Sequence, residues 1–483
     1  MSYIDVASFG ARGDGLTDDT AAVQQACDRA RGGHLHFSAS RRGGGQARYS
    51  VSKVSVHAGT RVTADERVAI EARGTDPNGH IFECASSYGP AIALAADAGR
   101  GQRRLELSSA SGLRPGDVAI VRDDSFKYGG KSGPNLEFVE VCAAAGEVLV
   151  PRSRLIGDYR LARSARIVPL SHIARGIRFE GVHCRIGPRC DGGAFYFQDA
   201  YQCEVLDCSS DGQRGQPGVQ IWRSAFVSVR DGRFTDGQDV AKPGNGYGCN
   251  IAQSSHDCWI VGTVFRNVRE CAVASNARSS GYIDCESYGS YDNAFNSHLD
   301  GSEDCWFIHC TSHDARSKGF CAGATAGWAA DKRIHFIGCQ SYNSGYMGFW
   351  TTGAAGFASE QIRFIDCIAV HPGRSINPSY GFFTTHCSDL RLIDCAVYAA
   401  GERNCRAGVA LETCRDVTIR GGEIRDVANG WGIIHSDCNG LDVTGVSFTA
   451  VRGQKVYAAP GGTPSSGVHI SDTRESASGQ EAL

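Results

Sequence analysis

The sequence has no excess of charge of either sign, because 49 basic and 52 acidic residues leave a net charge of −3. A nucleic-acid-binding surface normally shows a clear surplus of Lys and Arg, so the composition argues against that kind of partner. No apolar run of about 18 residues is present, which excludes a membrane-spanning helix. Met1 leads directly into YIDVASFG without a basic and then an apolar segment, so we expect no classical signal peptide.

Cysteine is abundant, but its spacing lacks the CxxC pairs that indicate a metal site. The chain has 21 cysteines, and 18 of them lie between Cys184 and Cys438 in register with repeated segments. A thiol is small and weakly polar, and stacked copies fit a buried core. We therefore predict free, buried thiols in preference to disulfides or metal ligands.

A short phrase returns along the chain between residues 246 and 437. Its copies are GYGCNIA at 246, NAFNSHL at 293, KGFCAGA at 318, MGFWTTG at 347, YGFFTTH at 380, AGVALET at 407 and WGIIHSD at 431. A second phrase, such as YIDC at 282 or FIGC at 336, recurs between them at steps of 22 to 31 residues. A period in this range predicts a solenoid, in which each small repeat buries its core only by stacking on its neighbours.

Residues 9–28, FGARGDGLTDDTAAVQQACD, resemble the N-terminal signature of the pectate-lyase-like right-handed parallel β-helix superfamily. That superfamily includes phage tailspike depolymerases, pectin-active hydrolases and lyases, and mannuronan epimerases. The resemblance implies an all-β chain, a right-handed parallel β-helix with an N-terminal capping helix. Apolar residues at helical spacing after Asp19 predict that helix. Asp14, Asp18 and Asp19 are interpreted as turn and capping residues.

The spacing of the repeats predicts that the chain has four segments. Residues 1–84 hold the cap and the first coils, and residues 171–455 hold the main parallel β-helix. Residues 85–170 break the rhythm with short alternating segments and Gly turns, which predicts a small inserted β subdomain. Its Gly-rich loop at 125–135 carries Lys127, Tyr128 and Lys131 but lacks a phosphate-binding GKS or GKT ending. Residues 456–483 are polar and rich in Gly, Pro and Ser, which predicts a flexible tail.

Aligning the repeated phrases sorts residues into columns, because equivalent residues of successive coils stack and side chains alternate in and out. The inward column is Cys249, Val273, Phe295, Phe320, Phe349, Phe382, Val409 and Ile433. Two outward columns contain Asn276, Asn296, His298, Trp350 and Phe383. Exposed aromatic rings beside amides and an imidazole suit a sugar chain, whose C–H faces pack on rings. The alternative is that a loop or another subunit covers this face.

The candidate residues are compatible with hydrolysis and with elimination or epimerisation. The outward columns hold no carboxyl pair, so Asp300 and Glu303, in the predicted loop just after His298, are the candidate acids for hydrolysis. For elimination or epimerisation at a uronic acid, His298 would be the base, and Tyr291 or Tyr247 would be the proton donor. The side chains that would neutralise the substrate carboxylate are Asn296, Asn276, Arg316 and Lys318.

The stretch around His298 resembles the catalytic region of mannuronan epimerases, whose phrase is Tyr-Gly-Phe-Asp-Pro-His. Phe295 and His298 match that phrase, whereas Asn293 and Asn296 replace its Tyr and Asp. Gly323 stands where that family has a further catalytic Asp. Epimerase chemistry is therefore an alternative to cleavage, and a non-catalytic glycan-binding spike or adhesin is a second alternative.

We predict a polysaccharide depolymerase, a lyase or hydrolase of tailspike-like or pectate-lyase-like type acting on an acidic bacterial or plant polysaccharide. The predicted catalytic residues are His298, Asn296, Asp300, Glu303 and Lys318. The predicted substrate-binding residues are Asn276, Trp350, Phe383, Tyr247 and Tyr291. No cofactor is required, and the resemblance allows Ca²⁺ because some relatives use it. The resemblance also implies a homotrimer. Since no classical signal peptide is expected, we predict a phage-particle-associated protein or export by a non-classical route, and otherwise a cytoplasmic location.

Overall fold

The chain is described by a computed structural model over residues 3–39, 46–73, 79–126, 134–187, 190, 192–212, 215–237, 245–298, 301–323, 330–400, 404–428, 430–459 and 463–476. It divides into two compact units. Unit 1 comprises Met1–Trp259 and Ser275–Arg278, and unit 2 comprises Ile260–Ala274 and Ser279–Leu483. Among the described residues, no helix has the length and apolar character needed to cross a membrane.

Unit 1 contains three parallel sheets, which we name A, B and C. The strands of sheet A are Ile4–Asp5, His34–Phe37, Arg61–Ala64, Arg178–Glu180, Glu204–Leu206 and Ser228–Arg230. Those of sheet B are Asp14–Asp18, Ala47–Val51, Val68–Ala72, His183–Arg185, Ser209–Asp211 and Arg233–Thr235. Those of sheet C are Val54–Ser55, His80–Ala85, Gly193–Gln198, Val219–Trp222 and Cys249–Ala252. Each coil of the chain adds one strand to each sheet in turn.

Unit 2 repeats the same three-sheet order. Sheet A consists of Gly281–Ile283, Glu303–Ile308, Lys332–Ile337, Ser359–Glu360, Arg363–Ile365, Cys387–Ile393, Arg415–Arg420, Asn439–Thr444 and Ser466–Ser471. Sheet B consists of Val264–Arg266, Glu286–Tyr288, Thr311–His313, Gln340–Tyr342, Ile368–Val370, Ala396–Tyr398, Glu423–Arg425, Ser447–Thr449 and Arg474–Ser476. Sheet C consists of Cys271–Ala274, Phe295–His298, Lys318–Gly323, Met347–Thr352, Ser379–Thr385, Cys405–Glu412, Trp431–Ser436 and Val456–Ala458. The strand Trp259–Val261 contains the division between the units. The predicted parallel β-helix is confirmed.

The core of unit 2 is built around the predicted inward column of sheet C. Phe295, Phe320, Phe349 and Phe382 are paired strand to strand and are almost completely buried. Their ring centroids follow one another at 5.2, 4.9 and 4.6 Å. Since identical rings stack in register, each coil buries its apolar surface against the next, as a solenoid requires.

The corner between sheets A and B has the same form in twelve coils, from Arg178 to Ser476. Two residues join the strands each time, and the first has a positive φ between 49° and 71°. Examples are Asp284, His309, Gly338 and Asp366, residue types that tolerate the left-handed region better than branched side chains do. This requirement explains the recurring phrases YIDC, FIHC, FIGC and FIDC.

The cysteines that follow these turns are part of the stack. All 21 cysteines are free, and all but Cys142 and Cys395 are buried. The thiols of Cys339, Cys367 and Cys395 lie 3.2, 3.3 and 3.4 Å from the backbone oxygens of Phe307, Phe336 and Phe364, one coil earlier. The prediction of free, buried thiols is confirmed, and the weak S–H donors help to satisfy backbone oxygens at the corner.

The N-terminal region contains the 3₁₀ helix Val6–Phe9 and the α-helix Thr20–Arg29. Asp14 accepts the N–H groups of Leu16 and Thr17, and these hydrogen bonds lower its pKa to about 2. Asp18 accepts from the N–H and hydroxyl of Thr20. Asp19 is buried and makes no side-chain cap. Instead it accepts the N–H groups of Arg12, Gly13 and Ser50, so all three carboxylates are used in local structure.

Residues 87–172 contain antiparallel strands, in contrast to sheets A, B and C, and we call this segment the inserted subdomain. It also contains the 3₁₀ helix Leu161–Arg163. Its strands are antiparallel: Ser87–Tyr88, Ile92–Ala93, Leu105–Glu106, Val118–Phe126, Pro134–Ala145, Val148–Pro151 and Arg166–His172. Lys127, Tyr128 and Lys131 lie outside the described residues.

Buried polar contacts join this subdomain to coils of unit 1. The N–H of Phe138 donates to Nε2 of His256 at 2.8 Å, and Arg278 donates to Oδ1 of Asn135 at 2.6 Å. Glu137 accepts the N–H groups of Ile156 and Gly157, and burial raises its pKa to about 7. These contacts place a buried, titratable carboxyl group where the subdomain meets the coils.

The β-strands continue beyond the predicted end of the β-helix at residue 455. Val456–Ala458, Ser466–Ser471 and Arg474–Ser476 extend sheets C, A and B. The prediction of a flexible tail is therefore wrong for residues 463–476. This segment is rich in Gly and Ser, a composition typical of disordered chains. Its sequence SGVHIS nevertheless alternates apolar and polar residues, as expected for the strand that extends sheet A.

Candidate functional site

The outward columns of sheet C in unit 2 largely follow the predicted order. Asn296, Cys321, Trp350 and Phe383 pair on successive strands, and His298 pairs with Gly323. Asn296 is nevertheless almost completely buried, so its predicted exposure is wrong. One part of the alignment is wrong. Cys271, not Val273, pairs with Phe295, so the register is displaced by two residues in that coil.

This displacement removes Asn276 from the outward column. Asn276 belongs to unit 1, is completely buried, and donates from Nδ2 to the hydroxyl of Ser254 at 2.7 Å. Its φ of 67° places it at a turn. The assignment of Asn276 as an exposed substrate-binding residue is therefore wrong, because its side chain is used inside the coil.

Lys318 is the cation at the centre of the site. Its Nζ lies 3.5 Å from Oδ1 of Asn293 and 3.3 Å from Oγ of Ser317. It also lies 4.2 Å from the ring centroid of Trp350 and 6.0 Å from that of Tyr346. An ammonium group over an indole face is attracted by the ring quadrupole. Lys318 and Trp350, predicted separately from the sequence, are thus in direct contact.

Glu270 is linked to Lys318 through Asn293 and was not predicted from the sequence. Its side chain is fully buried, and Oε2 accepts the amide groups of Asn293 at 3.2 Å and Asn296 at 2.9 Å. The sequence alignment could have placed Glu270 at the site, because Cys249 shows that a cysteine can occupy the inward column. Placing Cys271 there puts Glu270 immediately before it.

Arg269 connects Glu270 with a second, exposed carboxylate. Its Nη1 lies 3.0 Å from Oε1 of Glu270, and its Nη2 lies 3.5 Å from Oδ2 of Asp292. Because one guanidinium contacts both groups, the two carboxylates lie within about 9 Å of each other, which is below the upper limit of about 9.5 Å found in glycosidases. The side chain of Asp292 is 39% exposed, so it can meet a ligand.

The remaining polar neighbour is the pair Arg316 and Tyr291, in which the guanidinium carbon lies 4.8 Å from the ring centroid. Cys321, between Asn296 and Trp350, is buried, and burial raises the pKa of its thiol to about 12. A protonated thiol is a poor nucleophile, which argues against covalent catalysis by Cys321. We call Arg269, Glu270, Asp292, Asn293, Asn296, Lys318 and Trp350 the polar cluster.

Beyond Trp350, the outward face of sheet C becomes an aromatic and apolar surface. It consists of Tyr346, Met347, Trp350, Tyr380, Phe383, Ala407, Ala410, Trp431, Ile434, Tyr457 and Ala459. Tyr380 stacks on Phe383 with centroids 5.1 Å apart, and Trp431 stacks on Tyr457 at 5.1 Å. Arg406 lies 5.4 Å from the Trp431 centroid. The outward column is therefore an apolar strip that begins at the polar cluster.

Several predicted residues lie elsewhere. The loop position given to Glu303 is wrong, because Glu303 begins a strand of sheet A and, with Asp304, forms ion pairs with Arg333. Asp300 and the side chain of His298 lie outside the described residues. Tyr247 belongs to unit 1, while the polar cluster belongs to unit 2.

The polar cluster does not fit a Ca²⁺ site. The carboxylate oxygens of Glu270 face two amide donors and a guanidinium, and Lys318 adds a further positive charge. Across the part of the chain that the structure describes, no three His, Cys, Asp or Glu side chains are grouped as metal ligands. The arrangement suits recognition of an anionic ligand through Lys and Arg, with the exposed carboxyl group of Asp292 available for proton transfer.

Comparison with known proteins supports the fold. Residues 298–477 match the family model described as right-handed β-helix region, which covers less than half of the chain. No curated protein matches the sequence. The chain is similar in structure to the Gp54 tailspike of the Acinetobacter baumannii bacteriophage AP22, solved with A. baumannii capsular saccharide. The TM-score is 0.57 at 13% identity, over 99% of this chain and 76% of that one.

Two other solved structures with similar folds come from bacterial enzymes. The A-module of the Azotobacter vinelandii mannuronan C-5 epimerase AlgE6 has a TM-score of 0.53 at 12% identity, covering 98% of this chain and 99% of that one. The family 28 exopolygalacturonase of Yersinia enterocolitica has a TM-score of 0.50 at 10% identity, covering 100% and 79%. At such identities the similarity establishes the architecture alone.

Proposed function

We propose that this right-handed parallel β-helix protein binds an acidic polysaccharide along the outward face of sheet C in unit 2 and cleaves its glycosidic bonds. The observation that carries the proposal is the position of Lys318. It contacts Trp350 and Asn293 at the start of an aromatic strip, and the amide of Asn293 donates to the buried carboxylate of Glu270. Such a site offers a cation to a substrate carboxylate and apolar surface to sugar rings.

The polar cluster indicates an acidic substrate. Lys318 and Arg316 place positive charge at one end of the strip, Arg269 is already paired with Glu270 and Asp292, and Arg406 lies beside Trp431 further along the strip. Hydrogen bonds between such cations and carboxylates are roughly twice as strong as neutral ones. The solved tailspike with capsular saccharide and the exopolygalacturonase are fold relatives whose names fit a saccharide ligand.

For the reaction, we assign Asp292 as the group that exchanges a proton with the substrate, since it is the exposed carboxylate of the pair. Glu270 is buried, and it positions Asn293, Asn296 and Arg269. Lys318 neutralises the substrate carboxylate. The same residues serve hydrolysis, with Asp292 as general acid or base, and elimination, with Lys318 stabilising the anion that forms next to the carboxylate.

The proposal is tested on a panel of acidic polysaccharides with Lys318→Ala and Asp292→Asn. General acid–base catalysis contributes about 10²–10⁴-fold, so Asp292→Asn should lower kcat by at least about 100-fold. Lys318→Ala removes a charge-assisted contact and should lower kcat/KM by about 10- to 100-fold. Lys332→Ala removes a lysine paired with Glu360 on sheet A and is the matched control.

Product analysis distinguishes the reactions. An unsaturated, ultraviolet-absorbing product indicates a lyase, and new reducing ends without that absorbance indicate a hydrolase. If both cluster variants cleave as fast as Lys332→Ala, the assignment of the site is wrong. Binding without any change in polysaccharide length would identify a glycan-binding protein and contradict the proposed cleavage.

A further inference from the structure

Sheet A of unit 2 also has an unusual outward face. One outward column follows the strands as Trp306, His335, Arg363, Arg391 and Thr418, and the column two residues further on contains Ile308, Ile337, Ile365, Ile393 and Arg420. The inward column between them is buried and contains Phe307, Phe336, Phe364, Leu392 and Ile419. The isoleucines are half-buried on the outer surface, where a solenoid normally places polar side chains.

These columns enclose a groove. A cavity of about 380 Å³ is lined by His335, Arg363, Ile365, Arg391, Ile393, Thr418 and Arg420. A volume of this size lies within the range of about 300–1,000 Å³ typical of small-ligand sites. The Trp306 ring stacks on His335, with centroids 5.7 Å apart, and the strand of Trp306 lies next to that end of the groove.

The groove carries an excess of positive charge. Arg363 donates to the backbone oxygen and to Oδ2 of Asp389, and Arg391 lies 3.4 Å from Oδ1 of the same carboxylate. One aspartate therefore balances two arginines, and the exposed Arg420 adds a third positive charge. Burial, followed by the charge of Arg363, lowers the pKa of His335, which leaves that imidazole neutral at pH 7.

The positive charge is local to this groove. An adjacent cavity of about 320 Å³, on the far side of Arg391, is lined by Asp416 and Asp442 as well as Asp389. The whole chain has a net charge of −3, so the arginine surplus does not reflect a generally basic surface. A ligand in the first cavity should therefore present its anionic group towards Arg363, Arg391 and Arg420.

We infer that this groove is a second saccharide site, which binds carboxylate-bearing sugar units on sheet A apart from the polar cluster on sheet C. A guanidinium matches a carboxylate with two parallel hydrogen bonds, and Asp389 already holds Arg363 in place for such a contact. The sides of Ile365 and Ile393 supply apolar surface for the C–H face of a sugar ring. The ligand class rests on the proposed function, whereas the location rests on the groove alone. Such a site would hold a polysaccharide on the protein without contributing to cleavage.

The test measures binding by isothermal titration calorimetry with hexasaccharides of galacturonate and of mannuronate. Lys318→Ala serves as the background, so that sheet C contributes little. In that background, Arg391→Ala and Arg420→Ala should each weaken binding about tenfold, the effect of losing one charge-assisted contact. Arg415→Ala removes an exposed arginine at the start of the same strand as Arg420, outside the groove, and should leave the affinity unchanged.

Cleavage assays separate this proposal from the proposed function. The arginine variants made in the otherwise unchanged protein should cleave a short hexasaccharide at the original rate and bind long polysaccharide more weakly. If neither hexasaccharide binds in the Lys318→Ala background, or if the double arginine variant binds as well as Arg415→Ala, the second site does not exist. Equal competition by inorganic phosphate at the same concentration would overturn the sugar assignment and identify a simple anion site.

Discussion

Glu137 should make the inserted subdomain sensitive to pH. This carboxyl group is almost completely buried where the subdomain meets the coils of unit 1, with Arg278, Tyr159 and Asp123 nearby. Burial raises its pKa from the ordinary value of 4.5 to about 7, although the N–H groups of Ile156 and Gly157 and the charge of Arg278 act in the opposite direction. The folded protein therefore holds this proton at pH values where the unfolded chain has lost it.

The sign and the size of the effect follow from that difference. Between pH 4.5 and about 7 the folded state binds more protons, so the free energy of unfolding decreases as the pH rises through this window. A tenfold change in proton affinity corresponds to about 1.4 kcal/mol, and the rise in pKa therefore corresponds to about 3 kcal/mol. The stabilisation is complete below the unfolded pKa and is lost above the folded one.

Glu137→Gln removes the titration while keeping an oxygen that can accept the two backbone N–H groups. Hydrogen exchange of Pro134–Ala145, corrected for intrinsic rates, measures the local opening free energy from pH 4 to pH 8. The opening free energy of the variant, relative to that of the wild type, should rise by about 3 kcal/mol between pH 4 and pH 8, because only the wild type loses its bound proton. Glu147→Gln makes the same change at an exposed position of the subdomain and is the control. A difference that stays within about 0.5 kcal/mol at every pH would refute the reasoning.

Two further predictions concern the core. Phe349→Ala removes a buried ring from the middle of the phenylalanine stack and should lower the free energy of unfolding by about 3–5 kcal/mol in urea titrations, with Phe226→Ala, 40% exposed, as the control. A loss below about 1 kcal/mol would contradict the stacking argument. A thiol reagent should modify Cys142 rapidly in the native protein and all 21 cysteines after unfolding. Rapid native modification that persists in Cys142→Ser would show that the corner thiols are accessible.

Most of the fold could be predicted because it repeats. The phenylalanines of the repeated phrase determined the inward column, and the irregular spacing after residue 84 coincided with the antiparallel strands. The register failed only at 269–276, where small residues such as Ala272 and Ala274 fit either column. Without a large side chain to fix the alignment, the alternation alone could not distinguish two registers related by two residues.

The candidate site was predicted only in part, for a different physical reason. Lys318, Trp350 and Asn296 stand on strands, so their columns placed them near one another. Glu270 and Arg269 precede their strand, and Asp292 lies in the connection from sheet B to sheet C. Side chains at such corners are positioned by the connection and not by strand alternation, which is why the carboxyl pair was missed. Glu303 was misplaced for the related reason that a new strand begins at that residue.

The two-residue corner between sheets A and B determines where this architecture can change. An extra residue there would displace the next strand by one position and turn its inward side chains towards water. The connections from sheet B to sheet C, by contrast, range from 4 to 13 residues between Arg185 and Val456 and leave the strands in register. Those connections carry Arg269, Asp292 and Arg316. The ligand specificity can therefore change when a connection from sheet B to sheet C is lengthened or exchanged. The constant corner between sheets A and B keeps the strands in register while this happens.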